Sequence, residues 1–247
     1  MLERFSKSYR IINKEKFVEK LINFSVDQDY FILLNSNNNS DKYDLLCGYG
    51  VKSFIKSSEN SLTKLDNFFE LKKDWLFGYM TYDLRNEIEV LNDDNIDFIN
   101  MPNLYFFQPE IVWFVKGKNV TGLSFDKDLI DNDWKKFNEI SEKEKTKNSS
   151  IVKLNLRNSK SEYINKVKKI KERIFRGDCY EMNFCFDLFS EYDEINPYDT
   201  YVKLNNYTKS PMSSFLKAND LFLISSSPER FLSKNGEDII CLLYTSD

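Results

Sequence analysis

Short runs of β-forming apolar residues, each cut off by a polar stretch, recur along this chain and constrain what it can fold into. Tyr30-Phe31-Ile32-Leu33-Leu34 reads as a buried strand, stopped by the polar run Asn35 to Ser40. Tyr43 to Gly50 reads as a second strand, and Trp75 to Tyr82 is dense in aromatics and β-formers. Ile111 to Val115 and Asn119 to Phe125 lie either side of Gly117, which predicts a hairpin. The Phe- and Tyr-rich stretch from Tyr105 to Trp113 reads as core. Helical periodicity is interleaved with these runs. Lys14 to Phe24 carries Phe17, Leu21, Ile22 and Phe24 among charges, and Leu62 to Leu71 is expected to turn Leu65, Phe68 and Phe69 inward.

A helix expected over Trp134 to Ile140 dissolves into Ser141 to Asn148, which is charged, polar and free of apolar anchors. That stretch marks the expected domain boundary, with one domain over 1–148 and the start of another over 149–240. Val152, Leu154 and Leu156 alternate with polar residues as in a half-buried strand. Ser159 and Glu162 have capping-box spacing, and the helix they open should place Tyr163, Val167, Ile170 and Ile174 on one face, with Gly177 ending it. A strand over Cys179 to Phe189, a helix over Tyr198 to Leu204 and three short β segments complete the pattern to Ile240. No repeat is visible, and the element order predicts a mixed α/β or α+β fold.

Composition narrows the chemistry. The 247 residues are 41% apolar with a net charge of −4, enough apolar mass for a core and no basic surplus for a nucleic-acid face. No stretch has signal-peptide or membrane-spanning length, so the expectation is a cytoplasmic protein with no membrane partner. The four cysteines, Cys47, Cys179, Cys185 and Cys241, show no CxxC spacing. Histidine is absent, which removes Ser-His-Asp and Cys-His nucleophile systems and most zinc sites. Proton transfer here falls to carboxylates, Lys, Tyr, Cys or water.

Ser225-Ser226-Ser227-Pro228-Glu229 puts a carboxylate at a turn between apolar strands, a place that can serve acid or base chemistry or simply face water. In Gly177-Asp178-Cys179-Tyr180-Glu181-Met182-Asn183 the expected strand carries Asn183, whose amide would need partners if buried. Gly48-Tyr49-Gly50 begins like a dinucleotide fingerprint but lacks the third glycine and the following helix.

Those same segments carry a family resemblance. Gly177 to Asn183 resembles the G-D-x-Y-[QE]-x-N motif of chorismate-utilising enzymes. Ser210-Pro211-Met212-Ser213-Ser214-Phe215-Leu216 and Ser227-Pro228-Glu229-Arg230-Phe231 are similar to that family in order and spacing. Trp75 to Leu84 resembles its W-x-x-G-x-x-x-Y-D-L segment, and Pro102 to Pro109 one branch of it. Asn183 and Pro211-Met212-Ser213 place the likeness nearer the aminodeoxychorismate synthase component I branch than the anthranilate synthase component I branch, whose tryptophan loop reads Pro-Tyr-Met.

The resemblance implies an α+β fold of two packed, mostly antiparallel β-sheets flanked by helices, with chorismate and Mg²⁺ deep in the C-terminal part. It implies replacement of the chorismate 4-hydroxyl by ammonia from a glutamine amidotransferase subunit, with Glu229 the catalytic carboxyl. It maps a tryptophan-type effector pocket onto Ser36, Ser40, Asp41, Lys42, Tyr43, Pro211, Met212 and Ser213, and a non-catalytic tryptophan-binding module is a rival reading. The family continues with a P-I-K-G-T segment, whose Lys attacks chorismate, and with Mg²⁺-holding glutamates. This chain instead reads Cys241-Leu242-Leu243-Tyr244-Thr245-Ser246-Asp247, which matches what TGT CTC TTA TAC ACA TCT GAC of a transposon-end sequencing adapter would encode, the alternative being a short natural strand over Leu242-Leu243-Tyr244. The expectation is therefore an N-terminal fragment, inactive by itself, with no metal ligands of its own.

Overall fold

A computed structural model describes residues 3–40, 42–89, 91, 96–140, 152–191 and 195–241. The strands are β1 (Phe5–Arg10), β2 (Tyr30–Asn35), β3 (Leu45–Tyr49), β4 (Ser53–Ser57), β5 (Phe77–Met80), β6 (Leu104–Gln108), β7 (Ile111–Lys116), β8 (Asn119–Ser124), β9 (Asn155–Leu156), β10 (Leu188–Phe189), β11 (Met212–Ala218), β12 (Leu221–Ser227), β13 (Leu232–Asn235) and β14 (Asp238–Cys241). The helices are α1 (Lys14–Phe24), α2 (Ser61–Lys72), α3 (Lys127–Glu139), α4 (Lys160–Phe175) and α5 (Pro197–Thr208). The chain divides into two compact units, one of residues 1–143 with 197–247 and one of residues 144–196. The polar stretch 141–148 lies outside the described residues, as do 242–247.

In the larger unit a seven-stranded sheet runs in the order β1-β8-β7-β3-β2-β11-β12, every neighbouring pair antiparallel. Its period-2 alternation sorts the side chains between two cores. Phe31, Leu33, Leu45, Cys47, Trp113, Val115 and Phe215 face a helical layer, where they pack with Phe17 and Leu21 of α1, Ile130 and Phe137 of α3, and Tyr201 of α5. Ile32, Leu46, Val112 and Leu216 face the other way, onto Phe77, Tyr105 and Phe107 of a three-stranded sheet in the order β4-β6-β5. The fold is thus α+β, with two antiparallel sheets face to face and helices covering the outer side of the larger one.

Gly48 makes the inter-sheet contact close. A Cβ there would lie 2.8 Å from the Phe77 ring, so any side chain would push the sheets apart. The charged ends of the sandwich are tied as firmly. Arg4 donates to Asp74 Oδ1 and Oδ2 at 2.9 and 2.7 Å and to the Pro109 carbonyl at 2.6 Å, with its side chain only 6% exposed. On the helical side Trp113 Nε1 donates to Tyr49 Oη at 3.0 Å, and Tyr49 donates to Asp133 of α3 at 2.7 Å.

The hairpin about Gly117 forms as expected, with Gly117 at φ 58°. Two expectations need correction. Phe69 of α2 is 49% exposed and Leu65 and Phe68 only half-buried, because the helix lies at the rim of the small sheet. α3 begins at Lys127 rather than near Trp134, since the Asp126 side chain accepts from the Asp128 and Leu129 N–H groups and caps it there.

In the smaller unit the capping box at Ser159 and Glu162 is formed, and Gly177 closes α4 with φ 83°. The expected strand over Cys179 to Phe189 is reduced to β10, and that over Val152 to Leu156 to β9, the two pairing only with each other. Phe184 and Phe186 both reach the Tyr163 ring, with centroids 5.4 and 5.7 Å away. Residues two apart on one side are the mark of extended chain, but no further strand pairs with it among the described residues. Asn183 is exposed rather than buried, so its amide needs no protein partner.

Candidate functional site

Strand register brings three of the sequence motifs to one end of the seven-stranded sheet. Ser213 pairs with Asn35, which places Ser36 just beyond the last pair of β2 and beside Met212. Met212 pairs with Ser227 on the other side, and the Pro228-Glu229 turn leaves from there toward β13. Ser227 Oγ donates to the Glu229 carbonyl at 2.9 Å and accepts from the Glu229 N–H at 3.3 Å, a local ST-type turn. The Glu229 side chain is exposed.

The residues expected to line a tryptophan-type pocket divide between the two faces of this sheet end. Ser36 is buried and its hydroxyl donates to the Tyr43 carbonyl at 3.1 Å. Tyr43 is half-buried and meets the Phe114 ring edge-on at 6.4 Å, on the inter-sheet side. Ser213 points the opposite way, into the helical layer, where its hydroxyl lies 3.4 Å from Tyr201 Oη. The Ser40 carbonyl accepts from Lys116 Nζ at 2.7 Å, and Lys42 is exposed with Nζ 3.2 Å from Asn235 Oδ1. Pro211 and Met212 are half-buried, and Asp41 lies outside the described residues. Ser36, Tyr43, Pro211, Met212 and the Glu229 turn therefore share one corner, and Ser213 props it from behind.

A framework that the sequence did not reveal holds this corner. Asn37, in left-handed backbone at φ 49°, donates through Nδ2 to the Ser210 carbonyl at 2.7 Å and to Asn205 Oδ1 at 2.9 Å. Asparagine is the side chain that tolerates such backbone best, and here its amide also ties the β2 turn to α5. Burial works to raise the adjacent Asp44 carboxyl. The Gly117 N–H at 2.8 Å and the Lys14 and Lys116 ammonium groups at 3.5 and 3.4 Å outweigh it and hold the carboxyl below its ordinary value.

The other motif segment belongs to the smaller unit. Asp178 accepts from Arg173 and Arg176 at 3.0 and 2.6 Å, and Tyr180 is 94% exposed. Among the described residues no group of three or more His, Cys, Asp or Glu could hold a metal ion, and no helix is long and apolar enough to cross a membrane. The described residues thus offer no ligand set that fits the Mg²⁺ implied by the resemblance.

Known proteins agree with the motifs. Aminodeoxychorismate synthase component 1 of Escherichia coli is 27% identical over 81 residues, 33% of this chain and 18% of that protein. The Salmonella typhimurium protein of the same name is 32% identical over 79 residues, 32% of this chain and 17% of the relative. The matched stretches thus span less than a fifth of these curated relatives. Among solved structures, the menaquinone-specific isochorismate synthase of Escherichia coli aligns over 93% of this chain and 52% of its own, at 10% identity and a TM-score of 0.46. The family model for chorismate binding enzymes matches residues 25–241, a span that takes in the sheet corner, the Gly177 to Asn183 segment and the Ser227-Pro228-Glu229 turn, and the chain belongs to that family.

Proposed function

We propose that this chain is part of an aminodeoxychorismate synthase component I, which converts chorismate and ammonia to 4-amino-4-deoxychorismate and water on the route to para-aminobenzoate and folate. The observation that carries the reading is the ordered set Gly177 to Asn183, Ser210 to Leu216 and Ser227 to Phe231, together with relatives that bear that name. The reaction breaks the C4–O bond and forms a C4–N bond. Departure of the hydroxyl as water needs a proton, and the incoming ammonia releases one. Glu229 is the carboxyl assigned to that exchange, in a chain with no histidine to do it. Pro228 and Glu229 are exposed at this turn, which leaves the carboxyl open to a substrate. Ammonia would come from a glutamine amidotransferase subunit, in the cytoplasm, and Mg²⁺ would be held by residues other than those described.

The test is to read the gene past codon 240, express the continued frame and supply chorismate, ammonium and Mg²⁺. Formation of 4-amino-4-deoxychorismate, with turnover lowered about 100-fold or more by Glu229→Gln, is the expected result. Anthranilate and pyruvate as products would instead make the protein an anthranilate synthase component I. The 247-residue chain by itself is expected to be inactive, since the attacking Lys and metal-holding glutamates of the resemblance are not among its residues. Ammonia-dependent chorismate consumption by this chain would overturn that.

A second binding reading has one observation in its favour, the shared corner of Ser36, Tyr43, Pro211 and Met212. It is a tryptophan effector site, and calorimetry showing no saturable heat at millimolar tryptophan would end it.

A further inference from the structure

The Glu229 carboxyl is exposed and has no partner among the described residues, so its position is set by the backbone that carries it. That backbone leaves β12, the outermost strand of the seven-stranded sheet, which pairs on one side only. The ladder ends at Met212 with Ser227, two residues short of Glu229. A strand end held along a single edge opens readily unless something else pins it.

A cluster of hydroxyls pins this one from the helical side. Phe222 and Ile224 of β12 pack against the helical core, and alternation gives Ser226 the same face. Ser226 Oγ shares a hydrogen bond with Thr208 Oγ1, in the last turn of α5, and donates to Ser210 Oγ at 3.0 Å. Thr208 Oγ1 also reaches the Leu204 carbonyl one turn back, at 2.9 Å, which holds its rotamer. α5 stops at Thr208, where Lys209 takes left-handed backbone at φ 50°, and Ser210 beyond it is buried. The Ser210 carbonyl is fixed in turn by Asn37, so the cluster rests on braced chain rather than on a free loop. One residue past Ser226, the Ser227 hydroxyl accepts from the Glu229 N–H. A short polar path thus runs from α5 through Thr208, Ser226 and Ser227 to Glu229.

We propose that Thr208 and Ser226 are positioning residues for Glu229, holding the end of β12 against α5 so that the carboxyl stands in one place before substrate arrives. What the carboxyl does is taken from the enzyme reading above; where it is held follows from these bonds alone. Such a tie acts on turnover more than on binding. A misplaced acid–base group slows proton exchange and leaves the contacts that hold substrate intact.

The experiment measures chorismate turnover by the continued-frame enzyme, with ammonium and Mg²⁺, in hydroxyl-deleted variants. Thr208→Val keeps the side-chain shape at an exposed position and should lower kcat about tenfold with KM unchanged. Ser226→Ala should do the same, whereas Thr208→Ser, which keeps the hydroxyl, should stay within about twofold of the parent. In a Glu229→Gln background Thr208→Val should have no further effect, because Thr208 acts through that carboxyl; a general loss of structure would lower both backgrounds alike. Equal losses in the two backgrounds, or an unchanged kcat in both hydroxyl deletions, would overturn the proposal. Amide hydrogen exchange of the 247-residue chain gives a readout that needs no chemistry. Ser226→Ala should speed exchange at the Glu229 N–H about fivefold and leave Leu33 and Phe215, farther along the ladder, unmoved. An enzyme that forms no amino product yet shows this change would end the enzyme reading and keep the tie. Unchanged exchange at Glu229 would overturn the tie whatever the product.

Discussion

The two units of this chain use similar amounts of local signal and reach very different packing. α1 and α4 are both amphipathic and both capped by a side chain at the start, Asn13 for the first and Ser159 for the second. Five residues of α1 are buried in a core built from three helices and a seven-stranded sheet. No residue of α4 is buried, and Tyr163, Ile164 and Ile174 of the helix stay 36–41% exposed. The difference is the partner, not the helix. A capped amphipathic sequence determines that a helix forms and which face is apolar; burial depends on a facing surface, and for α1 that surface comes from strands far away in sequence.

Truncating apolar side chains in both units should expose the contrast most sharply. Phe215 is fully buried against Phe31, Tyr198, Tyr201 and Phe222. Phe215→Ala should cost about 3–5 kcal/mol in urea denaturation, and Ile170→Ala in α4 less than about 1 kcal/mol. Equal losses would mean that α4 is covered in solution and would break the comparison.

Next in size is Arg4→Ala, expected to cost about 3 kcal/mol because it strands Asp74 in a nearly closed site. The same pair gives a pH signature. Burial pushes the Asp74 carboxyl up, but hydrogen bonds from Arg4, Gln108 and the Trp75 N–H outweigh it and hold the carboxyl below its ordinary value. A carboxyl lowered on folding contributes stability that is complete above its unfolded pKa, near about 4, and is lost as pH falls through the folded value. The urea midpoint should therefore fall on acidification below about pH 4, and Arg4→Ala should shrink that acid-sensitive limb. An identical acid limb in the variant would remove Arg4 from the account.

What the sequence made legible follows the same division. Short apolar runs bounded by polar residues identified β2, β3 and β7, and the Gly117 punctuation identified the β7–β8 hairpin, because a strand buried on both faces and the turn that ends it are both written locally. Cys179 to Phe189 failed as a strand because pairing is not local: apolar residues make a segment fit a sheet, but only a neighbouring edge makes it one. That Ser36, Tyr43, Pro211 and Met212 lie at one corner of the sheet was readable through motif order, since a motif preserves which strand ends meet. The Asn37–Asn205 amide pair was not. It joins residues 168 apart, and asparagine in a polar run gives no sign that its partner lies across the fold.

Tyr49→Phe tests the polar tie between the large sheet and α3. It removes the hydroxyl that accepts from Trp113 and donates to Asp133, leaving two buried groups short of a partner, although Lys136 still holds the carboxylate at 2.9 Å. The expected loss is about 1–2 kcal/mol, with a rise in Trp113 fluorescence sensitivity to quencher. A neutral result would mean that water replaces the hydroxyl.

The smallest effect is expected at Ser159, and it bears most directly on why the two units differ. Ser159 Oγ accepts from the Glu162 N–H at 3.2 Å, and the Ser159 N–H donates to Glu162 Oε2 at 2.7 Å. Those bonds, the backbone one foremost, hold the Glu162 carboxyl below its ordinary value, so the cap is intact above the carboxyl's unfolded pKa and is released as pH falls through the folded one. Ser159→Ala should speed amide hydrogen exchange in the first turn of α4 by about fivefold. Exchange in β2, β3 and β7 should not move, because that unit rests on its own core. Since α4 buries none of its residues, its cap is a large share of what keeps it helical, whereas α1 could lose Asn13 and remain pinned by Phe17, Leu21 and Ile22. Asn13→Ala is the matching control: if it speeds exchange in α1 as much as Ser159→Ala does in α4, then packing is not what separates the two helices.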